Sequence, residues 1–479
     1  MGEGINMKKH LFIGGKWVEG SEYAPLYAPY SGEEIAQIPQ ATVQEADAAI
    51  EAAHQARLAM AKMPAHQRAA ILNKLANLLE ERQEEAARII ALEAAKPIKT
   101  ARAEIGRTIQ TYRFAAEEAK RIHGETLPLD AAPGGEGRVA YTVREPLGVV
   151  GAISPFNFPM NLVAHKVGPA LASGNTIVLK PASQTPLSAF FLAELLEQAG
   201  VPTGAFNVVT GSGRTIGNRI VEDPRVKVVT FTGSPGVGIG IRNRAGLKRV
   251  ILELGSNSAV IVDKDTDLDK IIPRCVTGAF SFQGQVCISV QRIFVVEEVY
   301  EDFVEKFVKA TRTLQLGDPL DEQTDVSAMI TPGDVTRSLD WIQEAVDKGA
   351  KVATGGEANG NMLNPTVLLD VDLSVKVSCQ EVFAPIVLVN KVASVDEAIE
   401  LVNDSPYGLQ AGVYTNNVHT AFDAAEKLQV GGVIINDIPT FRVDHMPYGG
   451  VKESGSGREG LKYAIEEMTE LKLVIFNRN

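Results

Sequence analysis

Cysteine is scarce in this chain: three occur in 479 residues, Cys275, Cys287 and Cys379, with no CxxC pair and no histidines clustered at metal-ligand spacing. An odd, scattered set argues against a disulfide scaffold and against a structural zinc site. Long apolar runs are missing too. Nothing approaches the roughly 20 residues that cross a bilayer, and the opening MGEGINMKKHLFIGGKW has no long apolar core after its basic residues. Basic charge is in deficit, 47 Lys and Arg against 59 Asp and Glu for a formal net charge of -12, so there is no electrostatic reason to bind nucleic acid or an anionic membrane. These absences lead us to expect a cytoplasmic, thiol-reduced protein.

Internal repeats, low-complexity tracts and flexible linkers are also lacking. At 479 residues, 45% of them hydrophobic, the chain exceeds what one core organises, so two or more tightly packed units are expected. From Thr42 to about Ile122 it is rich in Ala, Glu and Leu with helical periodicity, and Thr42 and Glu45 have capping-box spacing. Short β-type segments then alternate with helical patterns: LGVVGAIS (147–154), NTIVLK (175–180), FNVVTG (206–211), VKVVTFTG (226–233) and RVILELG (249–255). Near-continuous apolar strands alternating with helices predict an α/β fold with a doubly wound parallel sheet covered on both faces. A second pattern of the same class follows after about residue 258, and GETLPLDAAPGGEGRVAYTVRE (124–145) reads as a hairpin-like excursion turning at Pro-Gly-Gly.

Glycine and small polar residues sit at the predicted strand ends, where open α/β sheets place ligands. Phe231-Thr-Gly-Ser-Pro-Gly-Val-Gly238 follows one strand and opens a predicted helix, an arrangement that lets backbone approach a phosphate at a helix N-terminus; a tight turn without ligand is the simpler alternative. Cys287, in SFQGQVCISVQR, stands where a Gly-Gln pair leads into a strand-like run, and as thiolate it would be a strong nucleophile for an aldehyde carbon. A buried, inert cysteine is the competing reading, and the one retained for Cys275 and Cys379. Glu253 ends a strand expected to be buried on both faces. A carboxylate there is either ion-paired or has its pKa raised toward general-base use. Asn157, in the rigid turn SPFNFP, could donate to an oxyanion or bond its own backbone. Lys180 and Glu381 could each reach a cofactor or be ordinary surface charges.

The order and spacing of PFNFP (155–159), LKPAS (179–183), FTGSPGVG (231–238), LELG (252–255), GQVC (284–287), EVFAP (381–385) and PYGGVKESGSGREG (447–460) resemble the aldehyde dehydrogenase superfamily over nearly the whole chain. The resemblance implies oxidation of a small aldehyde by NAD or NADP through a cysteine thioester. Cys287 would be the nucleophile, Asn157 and the Cys287 backbone N–H the oxyanion donors, and Glu253 the base for hydrolysis. Ser154, Phe156, Lys180, Ser183, Gly233, Ser234, Gly238, Glu381 and Phe383 would form the cofactor site. It further implies two doubly wound domains and a small β bridging arm: residues 1–123 and 146–252 for NAD(P), 253–450 for catalysis, and 124–145 with 451–479 as the arm of a homodimer or homotetramer. A non-catalytic nucleotide-binding protein, or an esterase using the same cysteine, are the alternatives. Absence of the nucleophile or base would have marked the first, and both are present.

Departures from the common pattern are informative. Ser183 stands where many NAD-preferring members carry a Glu, which leaves NAD against NADP open. Ser256 and Ala384 replace frequent glycines, and Ser256 would be strained if its backbone required positive φ. GQVCISV and FRVDHMPYGG resemble the branch acting on lactaldehyde and related short hydroxy-, sulfo- or phospho-aldehydes. There Arg442 and His445 could face the substrate, Arg442 suiting a carboxylate, sulfonate or phosphate, or else bracing its loop. Val286 stands where relatives using glyceraldehyde 3-phosphate often carry Arg, which makes that substrate less expected.

Overall fold

The computed structural model describes residues 7–478. Residues 1–6, assigned above to the cofactor unit, and Asn479, assigned to the arm, lie outside the described residues. Two large sheets organise the chain. In the first, five parallel strands run in the spatial order Arg249–Glu253, Val226–Thr232, Val149–Ile153, Thr176–Lys180 and Phe206–Val208. They are the five segments expected from the sequence. Their order reverses between Val149–Ile153 and Val226–Thr232: later strands are added outward on one side, then the chain returns to the other. Such a switch point opens a crevice beyond the carboxyl ends of the strands.

The edges depart from a purely parallel sheet. The hairpin Leu11–Ile13 with Lys16–Val18 closes one side and Gly455–Ser456 pairs antiparallel to Arg249–Glu253 on the other. The second sheet runs Lys351–Thr354, Thr366–Leu369, Ile386–Val392, Arg292–Val296, Ala259–Val262, Gln410–Tyr414 and Gly432–Ile435, parallel except for its first member. Val260, Ile293, Val389 and Val413 are fully buried, as strands covered on both faces require.

The Ala- and Leu-rich region forms helices Val43–Lys62, Ala65–Glu81, Gln83–Ala94 and Ile98–Ala119. The expected capping box is present: Thr42 accepts from the Glu45 N–H at 3.2 Å while the Glu45 carboxylate accepts from the Thr42 N–H at 2.7 Å. Ile98–Ala119 packs against the fully buried helix Asn161–Ala172, carrying this layer to the edge of the crevice.

The excursion is a real hairpin, Thr126–Leu127 against Arg138–Pro146, and Thr469–Asn477 joins it antiparallel over nine residue pairs, Thr469 opposite Pro146 through Asn477 opposite Arg138. One boundary moves. Residues 451–468, expected in this arm, instead belong with the body: Gly455–Ser456 extends the first sheet, and helix Leu461–Glu467 packs on Asn161–Ala172 through buried Leu461, Ala464 and Ile465. Its apolar face needs cover that a three-stranded ribbon does not offer.

Candidate active site

Helix Leu268–Phe280 ends in a backbone reversal through three successive left-handed residues, Phe282 (φ 48°), Gln283 (φ 56°) and Gly284 (φ 67°). Two of them are not glycine, and each such residue costs on the order of 1–3 kcal/mol unless its surroundings hold it. Here they do. Gln283 Nε2 donates to the carbonyls of Ala95 and Ala328 at 2.9 and 2.8 Å, and Phe282 is completely buried. At Gly284 a Cβ would lie 2.2 Å from the Ala384 carbonyl, so only glycine passes. The reversal delivers Cys287 to the junction of the two sheets. The strand-like run expected immediately after it begins only at Arg292, because Ser289 and Val290 turn back to bond the carbonyls of Val286 and Gly278.

A cavity of about 180 Å³ opens there, with Arg107, Phe158, Cys287, Thr440, Arg442 and Tyr448 among its walls. Cys287 Sγ lies 2.9 Å from the Tyr448 hydroxyl. Burial pushes the thiol up to about 11, opposed by the Tyr448 hydrogen bond and the Arg442 charge. Asn157 reaches across from the first unit: its Nδ2 donates to the Gln285 carbonyl at 3.0 Å, two residues before Cys287, and its buried Oδ1 has no partner. It does not bond its own turn.

Glu253 is buried at the end of its strand with neither carboxylate oxygen hydrogen-bonded, and no cation within ion-pair distance among the described residues. The ion-pair alternative does not hold. Burial, then the neighbouring Glu459, raise its carboxyl well above the ordinary value against the more distant pull of Arg442, Lys166 and Arg458. Burial also acts to raise Glu459, yet Lys166 and Arg442 hold that group at about 2. Arg442 is accordingly fixed: it donates to Glu459 at 2.8 Å and its guanidinium lies 3.7 Å over the Tyr448 ring. Arg107 pairs with Asp444 at 2.7 Å. His445, expected at the substrate mouth, lies apart from the cavity. It is exposed, meets the Phe114 ring in a tilted contact at 4.8 Å and does not line the cavity, since its chain neighbour Asp444 is drawn inward by Arg107 and His165.

At the switch point lies a second cavity of about 420 Å³, bordered by Ile153, Gly213, Gly217, Phe231, Gly236 and Ile241, with Arg214 and Arg244 at its rim. Ser234 stands at the N-cap position of helix Pro235–Ala245 without a side-chain capping bond, and Gly236, Val237 and Gly240 of its first turns line this cavity. A Cβ at Gly236 would meet nothing within 4 Å, whereas one at Gly238 would meet Leu254 at 2.4 Å. Gly236 therefore leaves open room and Gly238 serves close packing. Lys180 is buried, its Nζ donating only to the Pro181 carbonyl at 2.9 Å, and burial lowers it to about 8. Ser154 N–H donates to the Lys180 carbonyl at 3.2 Å, joining the two strand ends. Phe156 and Phe383 meet edge to face at 5.8 Å, and Glu381, pushed up by burial to about 7, accepts from the Ser256 N–H at 2.9 Å. Ser256 is not at positive φ, so its replacement of glycine is unstrained. Ser183 is exposed and does not border the cavity. An open groove with a free helix N-terminus, apolar walls and two arginines fits a dinucleotide phosphate.

Reading by motif missed the buried polar residues that hold these loops. Lys96, completely buried, pairs with Glu104, donates to the Asn157 carbonyl at 2.7 Å, and lies 3.8 and 4.3 Å over the Phe158 and Phe282 rings. Glu104 also accepts from the N–H groups of Met160 and Asn161 at 3.0 and 3.2 Å. Lys166 and Tyr448 were missed as well. Tyr448 lay inside a quoted motif, but nothing in its spacing distinguished it from a core aromatic.

The chain matches the family model described as "Aldehyde dehydrogenase family" over residues 17–474. A 3-sulfolactaldehyde dehydrogenase from Priestia aryabhattai is 49% identical, covering 98% of each chain. Aldehyde dehydrogenase 21 from Physcomitrella patens, solved with the reaction product succinate, superposes with a TM-score of 0.97 at 43% identity and 99% coverage of both chains. A glyceraldehyde-3-phosphate dehydrogenase from Methanocaldococcus jannaschii complexed with NADP gives 0.92 at 41% identity, covering 95% of this chain and 100% of that one.

Removing the Glu104 carboxylate would leave a buried ammonium unpaired. We expect Glu104→Ala to destabilise the fold by about 3–5 kcal/mol in denaturant unfolding. Glu104→Leu combined with Lys96→Met should recover most of that loss; equal loss in both variants would show that packing, not charge, dominates.

Proposed function

Because the chain belongs to the aldehyde dehydrogenase family, we propose that its NAD(P)-dependent oxidation of a small aldehyde runs through a thioester on Cys287 and favours aldehydes bearing an anionic group. The observation that carries the substrate reading is the cavity itself. It holds Cys287 together with Arg107 and Arg442, and the buried Nε of Arg442 has no hydrogen-bond partner. A donor desolvated and unmet costs about 1–3 kcal/mol, which a carboxylate, sulfonate or phosphate oxygen would offset. Two relatives lie in the same direction: the dehydrogenase named for 3-sulfolactaldehyde, and the one bound to succinate. The small cavity favours short aldehydes.

Attack by the Cys287 thiolate on the aldehyde carbon gives a thiohemiacetal oxyanion. The Asn157 amide and the Cys287 N–H would donate to it, each donor lowering the barrier by roughly 3 kcal/mol. NAD(P), when bound, would supply the hydride acceptor at this point, and loss of that hydride from the carbon leaves a thioester on the Cys287 sulfur. Lys180, Glu381, Phe156, Phe383 and the helix opening at Ser234 would hold the dinucleotide, and Arg214 and Arg244 suit one of its phosphates, an NADP 2′-phosphate among them. Glu253 then takes a proton from the water that releases the acid. Its carboxyl must be ionised to do so, and its pKa is raised, so thioester hydrolysis should climb with pH through that raised value and level off above it.

The free cysteines fit a reducing cytoplasm, and among the described residues no helix is long and apolar enough to cross a membrane. The ribbon ending in Thr469–Asn477 presents Leu471, Leu473, Ile475 and Phe476 about half exposed. An apolar edge strand of that kind needs cover, which a second subunit in a homodimer or homotetramer would supply.

The test follows NAD(P)H formation with 3-sulfolactaldehyde, succinic semialdehyde, lactaldehyde and glyceraldehyde 3-phosphate, each with NAD and with NADP. Cys287→Ala should abolish turnover, and turnover retained would overturn the nucleophile. Glu253→Gln should keep the first turnover but slow the steady state by roughly 10²–10⁴-fold, with an acyl adduct on Cys287 in the intact mass. Arg107 is the cleaner probe of the anion, because it is a third exposed and its partner Asp444 keeps a second donor in Asn161, whereas Arg442 is buried against Glu459. Arg107→Gln should raise KM about tenfold for the charged aldehydes and leave lactaldehyde unchanged. An equal rise for both would remove the anion reading.

A further inference from the structure

Tyr448 is fixed from three directions. Its backbone exchanges hydrogen bonds with Glu459, N–H to carbonyl, at 3.0 and 2.7 Å. Its ring lies beneath the Arg442 guanidinium at 3.7 Å, and Arg442 is itself held by Glu459 at 2.8 Å. Its hydroxyl, deep in the cavity wall, lies 2.9 Å from Cys287 Sγ. A merely structural tyrosine in an apolar wall would direct its hydroxyl to a backbone carbonyl or to solvent. This one directs it at the sulfur.

We propose that Tyr448 is a catalytic residue of this site, its phenol donating a hydrogen bond to Cys287 Sγ that stabilises the thiolate and aims it into the cavity. The proposal rests on the reading of Cys287 as nucleophile. In the neutral pair either S–H or O–H can donate; once the sulfur is ionised, the phenol must. Burial, reinforced by the adjacent Cys287, holds the phenol well above its ordinary pKa, so it keeps its proton and acts as donor rather than base. The Arg442 cation on the ring face withdraws electron density and makes that O–H a better hydrogen-bond donor. The other charged groups facing the sulfur divide: Arg442 favours the thiolate, while Glu381 and Glu253 oppose it. With two carboxylates and desolvation against it, the sulfur depends on its neutral donor.

Magnitude decides whether this helps. For a thiol whose pKa lies above the working pH, each unit of lowering multiplies the thiolate about tenfold, while intrinsic nucleophilicity falls only about threefold, a net gain of roughly threefold.

Tyr448→Phe keeps the ring, the Arg442 contact and the backbone pairing, and removes only the hydroxyl. Alkylation of Cys287 by iodoacetamide, followed across pH by peptide mass spectrometry with Cys379 as internal reference, should show its midpoint raised by about one unit and its neutral-pH rate lowered about threefold. The single-turnover rate of NAD(P)H formation should fall in step. A midpoint unchanged or lowered in the variant overturns the role of Tyr448. The nucleophile assignment fails separately, if complete alkylation of Cys287 in the wild type leaves NAD(P)H formation intact.

Discussion

Everything at the site hangs on a buried ammonium. Lys96 has no contact with solvent, and moving such a charge out of water costs several kcal/mol even after relaxation. What offsets that cost is a carboxylate, one carbonyl and two aromatic faces, drawn from three parts of the chain: Glu104 from the helical layer, the carbonyl of Asn157 with the Phe158 ring from the crevice loop, Phe282 from the reversal before Cys287. A partner set of this kind is satisfied in one geometry only. The ammonium therefore sets how far the Asn157 loop stands from the cysteine loop, and the bond from Asn157 Nδ2 to the Gln285 carbonyl is the result.

Charge around the cavity follows the same economy. Glu459 is paired with Arg442 and Lys166 and stays ionised, and Asp444 is paired with Arg107, while Glu253 is left without a donor. These two buried, neighbouring carboxylates thus differ in pKa because one has cations in contact and the other does not. Such a divergence separates a group that organises the cavity from one free to exchange a proton.

Much of this architecture was legible in the sequence. The five strands of the first sheet and the capping box at Thr42 could be read because apolar runs and caps are local signals. The family assignment rested on motifs spread along the chain, and it holds. Boundaries in the last thirty or so residues were misread because the short strand Gly455–Ser456 takes its place by pairing with a partner two hundred residues away, which no local pattern encodes. His445 looked like a site residue because it lies three residues after Arg442 in the same loop, yet the chain turns at Asp444 and His445, and Asp444 is the one drawn inward. Lys96, Glu104 and Lys166 stayed invisible for the reverse reason: a charged residue in a helical stretch reads as solvated surface until the fold buries it.

The left-handed run at Phe282, Gln283 and Gly284 sets thermal robustness against reactivity. Glycine at position 282 or 283 would relieve backbone torsion, and a variant library screened for heat resistance would reward relief of that kind. It would also remove the packing and the two amide hydrogen bonds that hold the cysteine in register. Selection for a tougher protein alone would drift toward loosening this turn, and only a screen that also scores turnover would keep it wound.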